Sequence, residues 1–264
     1  MNALYDWLTQ RGREWSYAWS RVFYFAALAV VGALSPSVYN RATRQVVEKQ
    51  IYFTAWQILP GFTLFVALFS CVFVQIVGAT ASDFGLYRYA LELVIRILVL
   101  EILPLLTALF VAVRTGAAIN TEVALMQIQN EFEALERVGV DPFRLELLPR
   151  VIGGTISVLV LTLVNIVFAL VIAHVMIFDF RPWNLPPGDF ARVIGKVFDG
   201  PALLVLGVKI LAFGLAVTVI PISEGLNTPQ KQIFYAPIAV LRGMVRLFFA
   251  LMLIEIMAIA VIYV

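Results

Sequence analysis

The sequence is poor in the residues from which enzymes and metal centres are built. Its 264 residues include one histidine, His174, and one cysteine, Cys71. A lone His without clustered Cys, His or carboxylate neighbours is expected to be a core or interfacial residue rather than a metal ligand. One Cys excludes an intrachain disulfide, and inside an apolar run it says nothing of the redox compartment. No GxxxxGK[ST] phosphate loop, nucleophile elbow or HExxH pattern occurs, so a cofactor-bearing or ATP-hydrolysing site is not expected on this chain. Charge is scarce as well. Asp, Glu, Lys and Arg make up 14% of the residues, and a net charge of +2 leaves no electrostatic footprint for nucleic acid. There is no internal repeat and no low-complexity segment, which removes the usual signature of an inverted-repeat secondary transporter.

What remains is apolar. Hydrophobic residues are 62% of the chain and mean hydropathy is +0.93, outside the range of a soluble domain. The fold class this dictates is an all-α integral membrane protein. Five runs are long enough for a hydrocarbon core that takes about 20 helical residues to cross. They lie near 54–78, 90–113, 151–178, 201–222 and 240–264. Gly78 is expected to end the first and open a polar loop over 79–85. The loop 179–199 holds Arg181-Pro182-Trp183 and Pro186-Pro187-Gly188, a composition that predicts little regular structure. A short loop, Ser223 to Tyr235, should precede the fifth span.

Residues 1–50 form a polar N-terminal segment ahead of the five-span domain at 51–264. Within it, Val22 to Leu34 is apolar for 13 residues, too few to span. With Trp7, Trp15, Tyr17 and Trp19 ahead of it, this run reads as an interfacial elbow helix. A signal peptide cut near Ala33-Leu34-Ser35 is the competing reading, and Pro36 and the long basic leader argue against it. Thirteen of the 19 Lys and Arg fall in the N-terminal segment, in the stretch Arg114 to Arg150, or between 223 and 246. The positive-inside rule therefore places the N-terminus and that central stretch in the cytoplasm, and five spans leave the C-terminus outside.

The central stretch is periodic. Leu125, Ile128, Phe132, Leu135 and Val138 recur at three- and four-residue spacing, with Glu131, Glu133, Glu136 and Arg137 on the other faces. Asn120 or Thr121 can cap a first turn, Gly139 stops the helix, and Asp141-Pro142 turns the chain. An amphipathic helix over 120–138 follows. Its carboxylates would be repelled by an anionic leaflet, which favours docking on a partner protein through Leu125, Ile128, Glu131, Phe132, Leu135 and Glu136.

Charges inside the spans are costly, about 2.5–3.5 kcal/mol at the core centre on insertion scales, and so are informative. Glu92 and Arg96 are four apart and can pair on one helix face. Glu101 is nine residues beyond Glu92, on another face and roughly 16 Å into the span at 1.5 Å per residue. Pro104 cannot donate to the Leu100 carbonyl, which leaves a second polar group beside Glu101. Such a place must face protein or a wet cavity. Lys209 and Glu255 are the other deep charges, each a candidate partner for a neighbour or part of a polar path.

Ala134-Leu135-Glu136, Gly139, Val140-Asp141-Pro142 and Leu148-Pro149-Arg150 resemble the cytoplasmic loop of the MlaE-type (YrbE-like) permeases. Glu101-Ile102-Leu103-Pro104, Arg114-Thr115-Gly116-Ala117-Ala118 and Thr121-Glu122 fit the same pattern, which is specific from about 90 to 155. The chain departs from it in Leu100, where members often carry Arg, in Glu255, where Asp is common, and in Ser223 to Gln232, where an Ala-Thr-Thr run is frequent. The resemblance implies a permease subunit of an ATP-driven phospholipid transporter in a bacterial inner membrane. It implies a second copy of the chain, a cytoplasmic ABC ATPase carrying ATP and Mg, a periplasmic lipid-binding protein of the mammalian-cell-entry type and a small cytoplasmic regulatory subunit. The helix 120–138 would be the coupling helix, and Glu101, Lys209 and Glu255 would line the lipid path. A stand-alone ion-coupled transporter using those three charges, or a non-transporting membrane scaffold, are the alternatives.

Overall fold

The computed structural model describes residues 2–35, 41–177, 188–230 and 233–263, and among them all regular structure is helical. The N-terminal helix α1 covers Asn2–Leu34. Five helices are long and apolar enough to cross a membrane: α2 (Thr43–Ala81), α3 (Tyr89–Ile128), α5 (Phe143–Val175), α7 (Gly200–Leu226) and α8 (Ala236–Ile262). Two short helices join them, α4 (Glu131–Arg137) after α3 and α6 (Asp189–Val197) before α7.

Burial sorts the five. In its most apolar stretch α3 buries 61% of its residues and α7 56%, against 28% for both α2 and α8. The second and fourth spans therefore form the centre, and the first and fifth present long apolar faces outward, such as Leu64, Leu68, Val72 and Ile76 on α2. Inside lipid the association of such helices depends on close backbone approach and paired polar groups, since lipid tails are as apolar as Leu. The α5–α7 crossing supplies the first. A Cβ on Gly154 would stand 2.3 Å from the Thr218 methyl, and one on Gly214 would stand 2.9 Å from Thr155 Cα. Three of the buried hydroxyls, those of Ser157, Thr162 and Thr218, each donate to a carbonyl one turn earlier in their own helix.

Prolines shape the spans. The backbone widens to π-helical turns over Tyr52–Trp56, Val94–Ile102 and Phe143–Leu147, just ahead of Pro60, Pro104 and Pro149. A proline ring crowds the carbonyl four residues back and offers it no donor, so shifting the preceding bonds to i→i−5 relieves the strain. The longest of these wide stretches contains Glu101.

Helix α1 is longer than its apolar run, and that run packs against the bundle. Val22, Phe25 and Ala29 are buried, with the Phe25 ring edge-on to Phe143 at 5.7 Å, while Phe23, Tyr24 and Val31 face outward. Several boundaries differ from expectation. Gly78 does not end the first span, because helix continues to Phe84 and the turn falls at Gly85, whose φ is +65°. The expected loop at Ser223 begins later, as α7 runs to Leu226. The region 179–199 is not devoid of regular structure: Asp189–Val197 is a helix that buries Asp189, Val193 and Val197. Arg181, Pro182, Trp183, Pro186 and Pro187 lie outside the described residues.

The largest departure is in the central stretch. Residues 120–138 are not one helix. The first part is the end of α3, uninterrupted from the span, and the chain breaks at Asn130, which has φ 58° and ψ 30°. Asparagine is among the few residues that enter this left-handed region at modest cost. Asn120 and Thr121 therefore cap nothing. Asn120 is fully buried and donates to the Ala239 carbonyl at 3.2 Å, and Thr121 donates back to Ala117. Gly139, at φ 77°, does end α4, and Asp141 Oδ1 then accepts from the Phe143 amide to start α5.

Candidate functional site

The three deep charges meet. Lys209 of α7 lies between Glu101 of α3 and Glu255 of α8, with side-chain exposures of 1%, 11% and 9%. Its ammonium donates to Glu101 Oε2 and to Glu255 Oε1 at 2.9 Å, with Glu255 Oε2 2.8 Å away. The third ammonium proton goes to the Leu100 carbonyl at 3.1 Å. That carbonyl is the one Pro104 leaves without an amide donor, so the proline creates the acceptor and the lysine from another helix fills it. An ammonium has three donors, and all three are used here.

This cluster stands between two grooves. One, of about 700 Å³, has a mostly apolar wall, with Glu92, Arg96 and Lys196 at one end and Glu101 deeper along it. Glu101 Oε1 is buried there without a hydrogen-bond donor among the described residues. The other groove, of about 320 Å³, is apolar except for Lys209. At the mouth of the larger one Glu92 accepts from Arg96 at 3.2 Å and from Lys196 of α6 at 2.8 Å. The local Glu92–Arg96 pair is as the spacing predicts, and Lys196 joins it from a helix that the sequence did not reveal. An apolar trough with charge at its mouth and again at depth suits a molecule with a polar head and an apolar body.

At the other end of the bundle the site residues expected on the 120–138 stretch divide. Ile128 and Phe132 are buried in the chain itself, Ile128 beside Ala124 and Ala236. Leu125 and Leu135 are half-buried, whereas Glu131, Glu136 and Val138 are exposed. Gln230, from the connection between α7 and α8, donates to Glu133 at 2.9 Å and holds α4 against it. Below α4, Glu224 pairs with Arg246, and Arg21 of α1 donates to Asn227 at 2.5 Å. Gly243 passes so close to Asn120 that a Cβ would lie 2.2 Å from its amide nitrogen. Sequence reasoning missed this polar knot. Its only trace was an Asn, a Glu and an Arg just inside the ends of three apolar runs. His174 packs edge-on against Phe190 at 5.0 Å.

Five spans around a buried charge cluster, with a polar end built from α3, α4 and the α7–α8 connection, define a polytopic permease. The model of the family described as Permease MlaE matches residues 47–261, and the chain belongs to that family. It is 27% identical over 232 residues to the intermembrane phospholipid transport system permease protein MlaE of Haemophilus influenzae, covering 82% of this chain and 86% of that one. Probable ABC transporter permease proteins of Rickettsia typhi and Synechocystis are 29% and 26% identical over 146 and 128 residues, about half the length of each. The chain is thus the membrane permease of an ABC transporter.

Proposed function

We propose that this permease moves a phospholipid between the two membranes of a Gram-negative envelope, driven by a separate ABC ATPase. The observation that carries the reading is the amphipathic groove that ends on Glu101 of the Glu101–Lys209–Glu255 cluster, in a chain of the MlaE family. A zwitterionic or anionic head group has a phosphate to offer the cations Arg96 and Lys196 at the mouth. A head-group amine has Glu92 there and Glu101 at depth. The acyl chains meet the apolar wall. Glu101 keeps one oxygen without a donor among the described residues, so it can take a new partner without first surrendering Lys209.

The working assembly in this reading contains a second copy of the chain, the ATPase with its ATP and Mg, a periplasmic mammalian-cell-entry-type lipid-binding protein and a small cytoplasmic regulatory subunit. The N-terminus is cytoplasmic and the C-terminus periplasmic in the inner membrane, from the distribution of Lys and Arg. The coupling surface is narrower than the sequence suggests. It is the exposed side of α4, with Glu131, Glu136 and Val138, while Ile128 and Phe132 pass the push inward. Helix α3 runs unbroken from Tyr89 to Ile128, so a tilt applied at its cytoplasmic end moves Glu101 relative to Lys209 on α7.

Glu101→Gln tests the site. It keeps shape and hydrogen bonding and removes the charge. The expected result is an assembled complex with normal ATPase binding and reduced lipid transfer between vesicles. Full transfer by both Glu101→Gln and Glu101→Lys would remove Glu101 from the path, and loss of the folded protein in Glu101→Gln would make it structural. Transfer that persists without the ATPase would favour a stand-alone ion-coupled transporter instead.

A further inference from the structure

A second polar cavity, of about 650 Å³, lies at the opposite end of the bundle from Glu92. The start of α2, the end of α3 and the start of α5 enclose it. Lys49, Arg114 and Arg150 reach it, with Glu122 and Glu146. Arg150 engages both carboxylates: its Nη2 donates to Glu146 at 3.1 Å and its Nη1 lies 3.2 Å from Glu122. Among the described residues Arg114 donates only to neutral oxygens, Gln57 Oε1 at 3.0 Å and the Phe53 carbonyl at 3.4 Å. Lys49 has no carboxylate within ion-pairing distance among the described residues. Both carboxylates are thus taken by Arg150, and Lys49 and Arg114 border the cavity without an ion pair of their own, so the lining carries three cations against two carboxylates and favours the entry of an anion.

The level of this cavity in the membrane is marked independently. Tyr52 and Trp56, on the same turns as Phe53, are 54% and 68% exposed, and such aromatic side chains settle at the head-group layer. Arg114 is the first cation after the apolar run that begins at Ile97. A guanidinium fork and an ammonium beside aromatic anchors match a phosphate at the lipid–water boundary.

We infer that this cavity binds the phosphate of an anionic phospholipid, which ties the first turns of α2 to the end of α3. That the lipid comes from the cytoplasmic leaflet rests on the orientation proposed above; the site does not. No functional role is assigned to Glu101 by this binding, and the test does not read transport.

The test is native mass spectrometry of the full-length chain, delipidated in detergent and titrated with phosphatidylglycerol or with phosphatidylcholine of the same acyl chains. Wild type is expected to retain phosphatidylglycerol preferentially. A cation near an anionic lipid contributes about fivefold in affinity, so Lys49→Gln/Arg114→Gln should weaken retention roughly thirtyfold. Lys49→Arg/Arg114→Lys, which keeps both charges, should hold most of the binding and shows that the loss is not unfolding. Equal retention of the two lipids by wild type, or an unchanged double Gln variant, overturns the inference. A third arm adds inorganic phosphate. If it displaces the lipid and raises the melting temperature of wild type but not of the double Gln variant, the phosphate chemistry stands and the lipid source falls.

Discussion

Two charge clusters share one helix, α3, and have opposite physics. Glu92, Arg96 and Lys196 meet near the start of α3 with side-chain exposures of 24%, 32% and 63%, so solvent screens them and each is free to let go. Glu101, Lys209 and Glu255 meet deeper, almost sealed from solvent. Exposed pairs contribute about 0–1 kcal/mol, whereas removing one member of a buried set leaves an uncompensated charge and costs about 3–5 kcal/mol. The mouth of the groove is thus built to exchange partners. The depth is built to hold them until something displaces α3 or α7.

That contrast can be broken in order of expected effect. Lys209→Met leaves two carboxylates facing each other and the Leu100 carbonyl without a donor. It should lower stability by about 3–5 kcal/mol, read as a large drop in the thermal transition of the detergent-solubilised protein. Removing all three charges together, Lys209→Met with Glu101→Leu and Glu255→Leu, should restore much of that stability, because well-packed apolar substitutes for a buried ion set are often neutral. The triple variant is expected to fold and fail to transport. If it transports, the cluster serves assembly alone.

Phe132→Asp comes next. Phe132 is buried in its own chain, so an unpaired charge there should destabilise the permease by several kcal/mol before any partner is involved. Val138→Asp, at a site 73% exposed, should leave the melting temperature unchanged and weaken ATPase co-purification. A Val138→Asp protein that still co-purifies its ATPase in full yield would take α4 out of the coupling surface. The smallest effect belongs to the mouth. Lys196→Gln should shift stability by less than about 1 kcal/mol, and added salt should erase the difference from wild type. A loss as large as that of Lys209→Met would mean that the two clusters are not distinct.

Much of this was legible in the sequence for a simple reason. A span announces itself by composition, and a proline announces which carbonyl it orphans. The burial of Glu101 and the open Leu100 carbonyl followed from residue spacing, whereas the separate face expected for Glu101 did not hold: with wide turns over Val94–Ile102, Glu92, Arg96 and Glu101 line one groove. That Lys209 fills that carbonyl and bridges both glutamates was not legible, because it depends on which helices are neighbours, and apolar runs carry no record of adjacency. The 120–138 stretch misled for a related reason. Periodicity shows that one face is apolar but not whether its cover is another protein or the same chain. Here Ile128 and Phe132 are covered from within, and a single left-handed residue, Asn130, splits what the pattern joined. Helix α6 escaped notice because its short amphipathic pattern lies among prolines and glycines that argue for loop.

The α5–α7 crossing has a mechanical consequence. Where Gly154 meets the Thr218 methyl and Gly214 meets Thr155, only short β-branched side chains stand between the two helices, so there is little in the joint to compress. The pair behaves as a stiff beam. Helix α3 has wide turns over Val94–Ile102 and again over Ala112–Gly116, and a wide turn is the softer spring. In the proposed coupling, a load applied from the α4 end would bend the rib at its two wide turns, one of which holds Glu101, and leave the beam in place. Gly154→Ala would wedge the beam apart and let both members flex, spreading that motion away from the one place where it has a charge to move.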